Sequence, residues 1–282
     1  MSLAFGLQLY SVRDELAKDY AGTLEKVAEI GYRYVELAFH QADQTLNIGG
    51  MTPMQLKDTL DRLGLKVVSA HMDPMEKFDW DRVIAFNQEL GNTAIGKGIA
   101  FFRNMQDVLD TSSTLNKYGE ICKKNNMQFY YHNHFQEFQQ FDGKYVMDLL
   151  LENTEEDLVK IELDTYWTLR GGVDPVEYLK RLGSRCDLVH QKDFPRGIEP
   201  LNAFEILSND EEISYERFLD FCKPEYFAEI GDGIIDIPRI VQEVGKLGFA
   251  KYIFVEQDLT TKNQLESVAI SYRHMSKLFA GM

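Results

Sequence analysis

One pattern recurs along the chain. A helical stretch closes on Gly or Asn, two or three residues follow, and a short apolar run then ends in polar residues. It reads AEIG-YRYVELAFH, DRLG-LKVVSAHM, QELG-NTAIGKGI, KKNN-MQFYYHNH, RLGS-RCDLVHQKDF and GKLG-FAKYIFVEQD. Gly31, Gly64, Gly91, Gly183 and Gly248 fall where a helix end calls for a left-handed residue. The runs after them are rich in Val, Ile, Tyr and Phe, as buried strands are. LAFGLQLYSV and LVKIELDTYW supply two more, giving eight strands at about 4–11, 33–38, 65–72, 93–99, 127–134, 159–166, 186–193 and 252–257. Between them, TLEKVAEIG, PMQLKDTLDRLG, DWDRVIAFNQELG and LDTSSTLNKYGEICKKN space their apolar residues by three and four, as helices do. Strand alternating with helix implies right-handed βαβ units and a parallel sheet. Eight such units predict a closed (β/α)8 TIM barrel, one domain over residues 1–282.

The seventh unit is longer than the others. Residues 194–235 separate its strand from its helix, and a long loop at that end of a barrel is expected to cover the active-site face. No G-x-G-x-x-G follows the first strand, so a dinucleotide fold is disfavoured. Gly231-Asp232-Gly233 reads as a tight turn before a helix.

Charge narrows the partners. Asp and Glu number 45 against 30 Lys and Arg, a net charge of −15. A field of that sign repels phosphate backbones and anionic lipid, so neither nucleic acid nor membrane is expected as a partner. No apolar run reaches eighteen residues, and the opening MSLAFGLQLYSV lacks the basic and apolar regions of a secretory signal. Three cysteines without C-x-x-C spacing point to a reducing, cytoplasmic setting.

Catalytic groups of a barrel project from the C-terminal ends of its strands. Here those ends carry Gln8 and Tyr10, Glu36, His71, Lys97, His132-Asn133-His134 with Glu137 beyond, Asp164 with Tyr166 and Trp167, His190 with Lys192 and Asp193, and Glu256-Gln257-Asp258. Buried charges are costly unless paired or metal-bound. So many ionisable groups on one rim read as a site. Carboxylates mixed with imidazoles suit a divalent cation held by O and N.

The segments YHNHFQEF, ELDTYW followed by GG-x-DP, LVHQKDF, EIGDGIID and FVEQD resemble the sugar phosphate isomerase/epimerase family, the xylose isomerase-like barrels. The resemblance covers essentially the whole chain. It implies one divalent metal (Mn, Zn, Co or Mg) held by Glu, Asp, His and Glu from strands five to eight. Asp164, His190 and Glu256 match the last three. Many relatives carry Glu where this chain has His132, so Glu137 is expected to fold back to the metal, with a histidine of the His132–His134 group as the alternative. The resemblance further implies an isomerase or epimerase acting on a small sugar, keto-sugar or cyclitol through a metal-stabilised enediolate. Glu137, Glu256 and His134 are then the proton-transfer candidates, and His71, His132, Lys192 and Trp167 the substrate contacts. A lyase is the alternative, dehydrating a keto-cyclitol or eliminating the β-substituent of a 3-keto-glycoside. The expected partner is a small carbohydrate, and a homo-oligomer is left open.

Overall fold

The computed structural model describes residues 3–40, 46, 48–208 and 211–281. Eight strands close into a parallel barrel: β1 (Ala4–Gln8), β2 (Tyr34–His40), β3 (Lys66–Asp73), β4 (Ala94–Lys97), β5 (Gln128–His132), β6 (Val159–Asp164), β7 (Cys186–Gln191) and β8 (Tyr252–Val255). They stand in chain order around the ring, with β1 against both β2 and β8. Helices fill the intervals. Thr52 forms a capping box with Gln55 ahead of Pro53, while Asp174 and Asp236 cap helices that carry Pro in the first turn. Gly64 and Gly248 close their helices at φ 66° and 70°, the left-handed region the helix ends call for.

The barrel interior changes character along its length. Ala94, Tyr130, Leu188 and Phe254 form an apolar cluster low in the barrel. Two residues further along the same strands stand Gly96, His132, His190 and Glu256. Side chains two apart on a strand share a face, so one period converts a packed floor into an ionic one. Gly96 makes room for this. A Cβ there would lie 2.7 Å from His71 Cδ2. Two register shifts fall in the same layer, between Val35 and Glu36 on the β2–β3 pair and between Ile161 and Glu162 on the β6–β7 pair. Bulges of this kind re-aim side chains next to sites.

Residues 194–235 fold onto the mouth, with short helices at Ala203–Glu205, Tyr215–Leu219 and Pro224–Tyr226; Asn209 and Asp210 lie outside the described residues. Phe194, Phe218, Phe221 and Phe227 pack with Phe135, Tyr166 and Trp167 into an aromatic cluster. At its base the Asp193 carboxylate accepts the N–H groups of Gly231, Gly233 and Ile235, which forms the turn at Gly231-Asp232-Gly233. Among the described residues no helix is long and apolar enough to cross a membrane.

Candidate active site

Above the ionic layer opens a cleft of about 540 Å³. His71, His132, His134, Glu256 and Asp258 line its inner part, and Tyr10, Ile99, Tyr215, Phe218 and Leu219 its outer walls. On the floor, ligand atoms of His132, Asp164, His190 and Glu256 all lie within 4.8 Å of one another. Each comes from a different strand or strand end, β5 to β8, so the barrel and not local sequence brings them together.

Asp164 is also the N-cap of the turn that follows β6: its Oδ1 accepts from Trp167 N at 2.7 Å. That leaves Oδ2 directed to the floor, where Lys192 Nζ meets it. Lys192 is almost fully buried and also pairs with Glu256 at 2.6 Å and Asp258 at 3.4 Å. His190 Nδ1 lies 2.7 Å from Glu256 Oε2. Burial works against the charged form of Glu256, but Lys192 and His190 hold its carboxyl well below the usual range. Burial also opposes the charge on Lys192, yet Asp164, Asp258 and Glu256 keep it protonated. Asp258 is pushed up to about 7 by burial and by the neighbouring Glu256 and Asp164, against the pull of Lys192 and Arg13. His134 is held neutral by burial and by the Lys192 charge, and its Nδ1 has no hydrogen-bond partner. His132 is neutral for the same first reason, with His190 and His134 adding to it.

Mixed carboxylate and imidazole donors on converging strand ends fit a divalent cation. His132 Nδ1 is buried without a hydrogen-bond partner, and the ring stands 3.9 Å from Glu162 Oε2 and 3.8 Å from Asp164 Oδ2, which leaves its nitrogens available to an ion. Of the expected ligands, Asp164, His190 and Glu256 share the floor. Glu137 does not join them, and His132 stands in the fourth position. The reason is local. The chain leaves β5 through a tight 3-10 turn at Gln136–Phe138, and the Glu137 carboxylate folds back under it. Its Oε1 accepts from Tyr131 Oη at 2.5 Å and its Oε2 from His134 N at 2.8 Å. Both oxygens are engaged, so its geometry is that of a brace for the His132–His134 segment. Of the expected substrate contacts, His71 and His132 reach the cleft, while Lys192 lies among the floor carboxylates. Trp167 is fully buried, 5.4 Å ring to ring from His134, and backs that imidazole. Glu162 lies in the same layer, beyond the residues expected there from the strand ends. Its signal was the Glu162-Leu163-Asp164 alternation, which puts it on the same inward face as Asp164.

The Glu137 carboxyl is pushed up to about 7 by burial, despite the donors from Tyr131 and His134. A raised acid keeps its proton in the folded state, so this contribution is full below the ordinary value near 4.5 and is lost as pH rises through 7. Glu137→Gln, which stays neutral, is expected to gain about 1–3 kcal/mol over the parent between pH 5 and pH 8. It should leave divalent-ion affinity unchanged. Urea unfolding at the two pH values checks the first point; an equal difference at both would remove the buried-acid account.

The sequence profile of xylose isomerase-like TIM barrels matches residues 24–277. A sugar phosphate isomerase/epimerase from Parabacteroides distasonis is 26% identical, superposes with a TM-score of 0.76 and is matched over 98% of this chain and 94% of that one. Inosose dehydratases are similar over a shorter stretch. The Clostridium tetani enzyme is 29% identical over 159 residues, 56% of this chain and 50% of that enzyme. One from Clostridium botulinum Eklund 17B is 32% identical over 156 residues, 54% and 48%. The chain thus spans about half the length of these relatives. A probable 3-DHS dehydratase from Bacillus anthracis shares the fold, with a TM-score of 0.72 at 14% identity.

Proposed function

The chain belongs to the xylose isomerase-like TIM barrel family, and from that premise we propose that it is a divalent-metal-dependent isomerase or epimerase of a small sugar, keto-sugar or cyclitol. The observation that carries this reading is the convergence of His132, Asp164, His190 and Glu256 beneath an open cleft. A cation bound there would polarise the substrate carbonyl and stabilise the enediolate. The chain's own residues do the rest. His134 is neutral, lines the cleft, and is held between Trp167 and Phe218, so it takes the proton from the carbon beside the carbonyl. Glu256, held as a weakly basic carboxylate by Lys192 and His190, serves as a ligand. Asp258, with its raised affinity for a proton, stands at the β8 side and returns one. The full-length similarity to a sugar phosphate isomerase/epimerase supports proton return to carbon as the outcome. Three unpaired thiols are in keeping with a cytoplasmic enzyme.

A second reading has its own support in the inosose dehydratase relatives. The same enolate can lose a β-hydroxyl, with Asp258 protonating the leaving group. One experiment tests both. The metal-loaded protein is incubated in D2O with keto-sugars and keto-cyclitols and followed by NMR. Deuterium entering beside the carbonyl with every hydroxyl retained supports the isomerase or epimerase. Loss of water or of a β-substituent supports the lyase. No exchange into any of these substrates would sink the enolising reading itself.

A further inference from the structure

A second set of donors lies deeper in the barrel than the four on the cleft floor. Glu36, His71, Glu162 and His190 form a closed ring in which carboxylate alternates with imidazole. Glu36 Oε1 is 3.5 Å from His71 Nε2, and His71 Nε2 is 2.5 Å from Glu162 Oε2. Glu162 Oε1 is 3.2 Å from His190 Nε2, which is 2.6 Å from Glu36 Oε2. Glu36, Glu162 and His190 are fully buried, and His71 is 3% exposed. Four ligands about 2.0–2.2 Å from a tetrahedral zinc stand about 3.3–3.6 Å apart, and each of these four neighbouring contacts lies within about 1.1 Å of that spacing.

Three further observations point to a cation there. Among the described residues, the ion-pair partners of Glu36 and Glu162 are imidazoles, never an ammonium or guanidinium. Two carboxylates buried in a barrel interior are costly without firm compensation. One oxygen of each, Glu36 Oε1 and Glu162 Oε1, is buried without a hydrogen-bond partner. And both carboxylates sit at the register shifts of their strands, the places where a bulge re-aims a side chain. The upper set differs: there Lys192 already stands among the carboxylates.

We infer that Glu36, His71, Glu162 and His190 form a second divalent-cation site, buried beneath the proposed catalytic one and matched to zinc. Four protein ligands and no open position are the marks of a structural site, while the upper set faces the cleft. His71 lines the cleft and gives the ion a way in. The two sites meet in His190, which turns Nε2 to the lower ring and Nδ1 toward Glu256. With both filled, His190 would offer one nitrogen to each ion as an imidazolate, its N–H proton passing to solvent. The inference goes beyond the proposed function, which requires one ion at the upper set. The ordinary alternative is that Glu36 only fixes the His190 tautomer as an outer-shell partner of the upper ion.

The test is metal stoichiometry of the purified full chain, loaded with zinc or cobalt, dialysed and measured by atomic emission. Two ions per chain are expected, falling to one in Glu36→Gln and to one in Asp164→Asn. One ion in the parent that Glu36→Gln retains overturns the inference and leaves the proposed function standing. One ion that Glu36→Gln loses and Asp164→Asn keeps supports the lower site and removes the upper ion of the proposed function. No ion in the parent overturns both. Should Glu36→Gln fail to fold, the dicobalt parent decides: two ions across one imidazolate couple magnetically, and an uncoupled single-ion signal overturns the inference.

Discussion

Lys192→Met is expected to destabilise the metal-free protein by about 3–5 kcal/mol, the cost of removing one partner from a buried ion cluster. The cluster makes the direction clear. The ammonium is nearly fully buried and touches Asp164, Glu256 and Asp258. Without it three acidic groups face one another in a place water barely reaches. A divalent ion at the upper set takes over the same work, because Asp164 and Glu256 are two of its four proposed ligands. Rescue by metal should therefore be larger in the variant than in the parent, in which the ion must first displace the ammonium. At an ion concentration 100 times the dissociation constant the stabilisation is about 2.7 kcal/mol, and the tighter binding of the variant adds about 1.4 kcal/mol for each tenfold. Thermal unfolding with and without manganese reads this directly. A metal shift no larger in Lys192→Met than in the parent would mean that lysine and metal do not compete, and would move the ion away from Asp164 and Glu256.

The barrel was legible because its signals are local and repeated. Five helix ends announce themselves with Gly31, Gly64, Gly91, Gly183 and Gly248, and the next strand begins two to four residues later. The strand-end chemistry was legible for the same reason. Once β6 to β8 are placed, Asp164, His190 and Glu256 must reach one rim. What sequence spacing does not carry is register. Alternation puts Glu162 on the inward face with Asp164 and the strand end offers Glu36, but the shifts beside them in the β6–β7 and β2–β3 pairings, which set their height in the barrel, have no residue pattern. Glu137 illustrates a second limit. It lies five positions beyond His132, enough chain to reach a metal or to fold back, and the choice is made by Tyr131 Oη and His134 N. Trp167 and Lys192 were placed at the rim, but rim height decides between substrate contact and burial. The aromatic packing of residues 194–235 on that rim puts Trp167 under cover.

Glu256→Gln is expected to bind the upper ion at least 100-fold more weakly, about 2.7 kcal/mol, because a neutral amide replaces an anionic oxygen donor. A position at a barrel mouth suggests a tolerant surface, and the structure reverses that expectation. Glu256 is 6% exposed and accepts from His190 Nδ1 and Lys192 Nζ. Its loss should also cost the metal-free fold about 1–3 kcal/mol, the price of leaving charged donors short of an acceptor. The two effects separate from catalysis at saturating metal. With His134 as the base, Glu256→Gln should recover solvent-deuterium exchange as the ion is titrated in. His134→Asn should stay about 10²- to 10⁴-fold slow at any metal concentration, since no ligand is lost and the proton acceptor is. Metal affinity by calorimetry and exchange by NMR, measured on both variants, give four numbers. The assignment of base and ligand fails if they come out the other way: exchange in Glu256→Gln that saturating metal does not restore would place the transferred proton on Glu256, and normal exchange in His134→Asn would remove the imidazole from the reaction.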